Sequence, residues 1–186
     1  ENPVVSTNNA LTLDEDAAAT AITDTYLKTT VDAGHSAIYT LTTAPVKGTV
    51  KKSGAELNAD DTFTQSDIDT ALITYTPNAN ANGMDEITFS VTDGTNTLHG
   101  NTFTINIIPV NDVPIIASST GVTVNEGETV TITQSALEVT DIDSAAGALT
   151  YTISTAPVNG TLYKSGVAMS AGGTLTQDDI NNSRIT

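Results

Sequence analysis

Cysteine and tryptophan are absent from the 186 residues, and only 6 lysines and arginines stand against 22 acidic residues. Without cysteine there are no thiol nucleophiles, no thiolate metal sites and no disulfide framework standing in for a core. Secreted and cytosolic locations both stay open on that count. A formal charge of -16 leaves no basic surface to replace the counterions of nucleic acid or anionic lipid, so neither is expected as a partner. No apolar run approaches the roughly 18 residues that cross a bilayer, and no charged-then-apolar leader opens the chain. Membrane insertion is not expected, and the chain reads as a mature segment or an excerpt. His35 and His99 are isolated, no Gly-x-Ser-x-Gly elbow occurs, and aromatics at 4% are too few to build a sugar platform. The sequence argues against an enzyme.

Threonine, asparagine, alanine and valine dominate instead, a mixture that suits half-buried strands joined by polar turns, so the fold class is all-β. The excess of carboxylates makes a divalent cation the natural ligand, and calcium, abundant outside cells, is the candidate.

The chain is a duplication. Positions 42–74 and 154–186 align without a gap at an offset of 112, with 17 identities in 33 pairs. These include Gly48 with Gly160, Lys-Ser-Gly with Lys-Ser-Gly, and Gln65, Asp67 and Ile68 with Gln177, Asp179 and Ile180. Upstream the offset is 111, pairing "LTLDED" from Leu11 with "VTVNEG" from Val122 and Asp32 with Asp143. One repeat therefore has the size of an immunoglobulin-type sandwich, about 100 residues. "NALTL", "AIYTLTT", "GTVKK", "LITYTP", "EITFSVTDG" and "NTFTINIIPV" read as strands bounded by turn residues. "PVKG" and "PVNG" are expected to place glycine at the positive φ of a tight hairpin. "FTQSDIDTA" and "LTQDDINNS" break the alternation, and a single helical turn capped by Thr64 or Thr176 is expected there. "IIPVNDVPII", residues 107–116, is the linker, stiffened by two prolines. By the same alignment Glu1 stands where Asp112 stands, so the chain is expected to begin at a repeat boundary.

The order Ala-Pro-x-x-Gly-Thr, Phe-Thr-Gln-x-Asp-Ile, Tyr-Thr-Pro, Asn-Gly-x-Asp and then "PVNDVP" resembles the cadherin-like repeats, related to the chondroitin sulfate proteoglycan repeat, of large bacterial surface adhesins of the RTX-adhesin type. The resemblance spans nearly the whole chain. It implies tandem immunoglobulin- or cadherin-like β-sandwiches, residues 1–111 forming the first repeat and 112–186 a second that lacks its C-terminal strands. It also implies an extracellular extension module at a bacterial cell surface, rigidified by calcium between repeats and serving cell adhesion or biofilm attachment. The partners would be adjacent repeats of the same long chain.

In such a topology the lower end of a repeat carries Glu15, Asp85 and Asp112, and the upper end of the next carries Asp141 and Asp143. Aspartates separated by one residue point to the same side of an extended segment and can share a hard cation. With Asn111 and backbone carbonyls, these residues supply the oxygen ligands calcium prefers. The bland alternative is that acidic loop residues are solvated or close Asx turns. Thr30 replaces Asp141 in the first repeat, leaving Asp32 and Asp93 at its upper end, while Glu126 and Glu128 belong to a site below repeat 2. The alternative function is a subunit of an extracellular filament, in which a strand from a neighbouring chain completes repeat 2 by β-augmentation.

Overall fold

The computed structural model describes residues 2–186, so Glu1 and its alignment with Asp112 lie outside the described residues. The chain folds as two units, one ending at Val110 and the other spanning Asn111–Thr186.

The first unit contains strands β1 (Val4–Asn8), β2 (Leu11–Asp14), β3 (Thr20–Ala21), β4 (Leu27–Thr30), β5 (Ile38–Thr43), β6 (Gly48–Lys52), β7 (Ala55–Glu56) and β8 (Thr62–Thr64). A one-turn helix α1 (Gln65–Asp69) precedes β9 (Ile73–Pro77), β10 (Gly83–Thr92) and β11 (Thr97–Ile108). One sheet has the order β2-β11-β10-β5-β8, the other β3-β9-β6-β7, and β1 pairs with β4. The period-two pattern decides the faces: Asp85, Ile87, Phe89 and Val91 of β10 are buried while their neighbours are not. Tyr39 stacks on Phe63 with centroids 4.8 Å apart, and Phe89 lies tilted against it at 5.4 Å. Leu41, Val50, Ile73, Tyr75 and Ile105 are fully enclosed around this cluster. The first unit is a two-sheet sandwich over one core.

The expected tight hairpin at Pro45–Gly48 is not there. β5 and β6 belong to different sheets, so Ala44–Lys47 is a crossover between layers. The two-residue hairpin lies seven residues later, between Lys52 and Ala55, where Ser53 at φ 50° and Gly54 at φ 85° make a type I′ turn. Gly48 serves another purpose, because a Cβ on it would stand 2.3 Å from the ring of Tyr75.

The second unit contains β12 (Ile115–Ser119), β13 (Leu137–Thr140), β14 (Thr150–Thr152), β15 (Tyr163–Lys164), β16 (Val167–Ala168), β17 (Thr174–Thr176) and a helix α2 (Gln177–Asn181). These form three two-stranded pairs, β12-β13, β14-β17 and β15-β16. Ser165 and Gly166 repeat the type I′ turn with φ of 49° and 80°. Leu175, Ile180 and Ile185 are buried together, with Ile132, Leu137, Tyr151, Leu162 and Met169 packed against them but partly exposed.

The expected helical turns are both present. Thr64 and Thr176 cap them with reciprocal boxes, each hydroxyl accepting from the amide of Asp67 or Asp179 while that aspartate accepts from the cap amide. No helix among the described residues is long and apolar enough to cross a membrane.

Candidate functional site

The carboxylates singled out by the sequence fall into three environments in the first unit and a fourth in the second. Glu15 follows β2 at the end of the first unit and is buried there, 3% exposed. Its carboxylate accepts from the Val110 amide at 2.7 Å and from Asn82 Nδ2 at 3.1 Å, and its own amide donates to Ile108 O at 2.8 Å. The neighbouring Asp16 accepts from the Asn80 amide at 2.9 Å. These contacts tie the exit of β11 to the turn after β2.

Asp85 lies on the buried face of β10 and is surrounded by donors. Its oxygens accept from the amides of Val46, Lys47 and Glu86, each at 3.0 Å, and from the Tyr75 hydroxyl at 2.7 Å. Four donors occupy the roughly four lone-pair sites of a carboxylate. Asp85 is therefore an internal anchor whose oxygens are taken up by protein donors. Burial and the adjacent carboxylate push the Tyr75 hydroxyl far above its ordinary pKa, so it stays a donor.

At the opposite end of the first unit, Asp93 closes an Asx turn, accepting at 2.7 Å from both the Thr95 and Asn96 amides. Those amides, Asn96 foremost, hold its carboxyl below the usual range. The Asx-turn reading describes Asp93, whose side chain is buried and not solvated.

The second unit brings Asn111, Asp112, Asp141 and Asp143 together. The Asp112 amide donates to Asp143 Oδ2 at 2.7 Å, and Asn111 Nδ2 donates to the Asp112 carbonyl at 2.6 Å. Asp141 Oδ1 accepts from the amides of Asp143 at 2.9 Å and Ser144 at 2.7 Å. The expected extended Asp-Ile-Asp segment is thus a turn, because an aspartate side chain competes for nearby amides whenever no sheet partner claims them. Asp141 Oδ2 is buried and has no hydrogen-bond donor among the described residues. An enclosed anionic oxygen without a donor suits a hard cation, and so does the all-oxygen donor set around it. Among the described residues, no group of three or more His, Asp or Glu side chains already converges as a metal site.

Both units contain a polar contact that the sequence reading did not foresee. Tyr39 donates to Gln65 Oε1 at 2.6 Å, and that oxygen also accepts from the Thr29 amide at 2.9 Å. Tyr151 and the Val139 amide repeat the contact with Gln177 Oε1. Burial pushes the Tyr39 hydroxyl up to about 12. The signal was present in the duplication, since Tyr and Gln recur at the same offset. The helix-capping carboxylates are paired as well: Lys52 Nζ stands 2.7 Å from Asp67, and Lys164 and Arg184 both reach Asp179.

Comparison with known proteins places these features in a family. The family model described as cadherin-like matches residues 3–107 and 114–186. The human extracellular matrix organizing protein FRAS1 is 30% identical over 188 residues, covering 99% of this chain and 5% of that protein. Extracellular matrix protein 3 of Lytechinus variegatus is 30% identical over 194 residues, covering all of this chain and 6% of that protein. The chain thus spans about a twentieth of the length of these relatives. Among solved structures, the first two repeats (EC1-2) of human mucin-like protocadherin superpose with a TM-score of 0.50 at 16% identity, over 94% of this chain and 78% of that one. The fold is a cadherin-like β-sandwich.

Proposed function

We propose that this chain, which belongs to the cadherin-like family, is a tandem extension module of a long extracellular protein and that calcium stiffens it through the aspartates at the start of its second repeat. The observation that carries the reading is Asp141 Oδ2, buried without a donor among the described residues, in a turn with Asp143 to which the Asp112 amide is bonded. Asp141, Asp143 and Asp112 would hold the ion, with Asn111 supplying a further oxygen. Bound calcium would supply positive charge to a turn in which, among the described residues, no lysine or arginine pairs with Asp141 or Asp143, in a chain of net charge -16. Family membership supports calcium as the ion, because cadherin-like domains generally bind it.

The extracellular setting rests on relatives whose names place them in the extracellular matrix of animals. The motif resemblance to bacterial surface adhesins supports the finer reading of an adhesin spacer. Small-angle scattering of the chain in calcium and in chelator tests the role. A longer, stiffer particle in calcium is expected, and superimposable profiles would sink the reading.

A further inference from the structure

We propose that Asn181, at the end of α2, is an N-glycosylation site. Asn181-Asn182-Ser183 is an Asn-x-Ser acceptor, a motif that marks an exposed loop in a secreted protein. At the offset of 112 the first repeat has Asp69, Thr70 and Ala71, which supply neither the amide of the first position nor the hydroxyl of the third. Both repeats nonetheless build the same turn. Gln65 Nε2 donates to Asp69 Oδ1 at 2.9 Å, and Gln177 Nε2 donates to Asn181 Oδ1 at 2.8 Å. Ala71 and Ser183 both stand at φ 56°, each donating its amide to the isoleucine carbonyl three residues before it at 3.0 Å. A carboxylate and a methyl group suffice for this geometry, so the turn itself requires neither the Asn181 amide nitrogen nor the Ser183 hydroxyl.

Exposure of the acceptor is a property of the repeat. Asn181, Asn182 and Ser183 are exposed, and so are Asp69, Thr70 and Ala71 over the closed core of the first unit. Asn181 Oδ1 is engaged by Gln177, and its Nδ2 has no acceptor among the described residues. A glycan on that nitrogen lies outside the core and leaves the buried Ile180 beside it in place. The donor is a lipid-diphosphate-linked oligosaccharide. Asn181 Nδ2 bonds to the anomeric carbon of its first sugar, and the bond from that carbon to the diphosphate oxygen breaks, its electron pair staying on the diphosphate. One amide proton passes to a base of the transferase, and nothing is oxidised or reduced. The Ser183 hydroxyl is the group by which the transferase reads the acceptor. The inference rests on the extracellular setting of the proposed function and not on its calcium.

The test is secretion of the full chain from mammalian cells behind a cleavable leader, with the glycan located by mass spectrometry before and after peptide-N-glycosidase. The chain carries Asn159→Gln, which removes the other acceptor triplet, Asn159-Gly160-Thr161. A glycopeptide at Asn181 is expected, and release by the enzyme should leave a carboxylate at that position. Adding Ser183→Ala should abolish the modification, whereas adding Ser183→Thr should keep it. Both variants retain the Gln177 contact, and equal melting temperatures of the two would separate loss of the acceptor from loss of the fold. An unmodified Asn181 in the secreted Asn159→Gln chain overturns the proposal, as does a modification that survives Ser183→Ala. Because the leader imposes the compartment, an unmodified site counts against this inference alone, and calcium binding is decided by its own titration.

Discussion

At the scale of single residues, the roles of Asp85 and Gly48 are set by partners far along the chain. A carboxylate in an acidic protein and a glycine after a Pro-x-x are both visible in the sequence, but their partners are 39 and 27 residues away along the chain. Asp85 holds the crossover by its amides, and Gly48 admits the tyrosine ring that completes the contact. Neither role follows from local turn propensity, which suggested a positive φ at Gly48, nor from the resemblance, which implied a cation ligand at Asp85. Gly48→Ala is expected to destabilise the first unit by about 1–3 kcal/mol, the usual result of overpacking against an enclosed ring. Gly160→Ala should stay within about 0.5 kcal/mol, as for an open surface site. Urea unfolding of the two variants side by side checks the contrast.

Individual elements were more legible. Alternation marked the strands of the first unit because one face of each is buried, and Thr-Gln-x-Asp marked both helical turns because a capping box is a local interaction. Thr176→Ala should cost about 1 kcal/mol, measured as a shift in the urea midpoint. The lysine behind each box was not legible, since Lys52 and Lys164 arrive from a neighbouring hairpin. Lys164 foremost, with Arg184 and the cap groups, holds the Asp179 carboxyl well below its ordinary value against the opposing effect of burial. Lowered in the folded state relative to about 3.9 when unfolded, this group contributes stability that is complete above about pH 5 and lost as pH falls further. Urea midpoints from pH 6 down to pH 2 should fall below that point. In Lys164→Met the fall should be shallower, because the folded carboxyl then lies nearer its unfolded value.

At the scale of the whole chain, the duplication was the most legible feature, and it carried the sandwich class with it. The sequence could not tell which conserved-looking elements depend on distant strands, and that is where the two repeats differ. The second copy of the crossover keeps Ala-Pro-Val and Gly of the first, yet the strand equivalent to β6 is confined to Tyr163–Lys164 and none forms at Val122–Asn125, the counterpart of β2. The acidic turn at Asp141 was legible as a cluster but not as a turn, because an Asx contact is decided by which amides have no sheet partner. Calcium at that turn is the central claim. Titration calorimetry of the wild-type chain against Asp141→Asn and Asp143→Asn variants tests it most directly. The account predicts saturable calcium binding by the wild type that is lost or sharply weakened in both variants. Equal binding by all three chains, or none by the wild type, would contradict it.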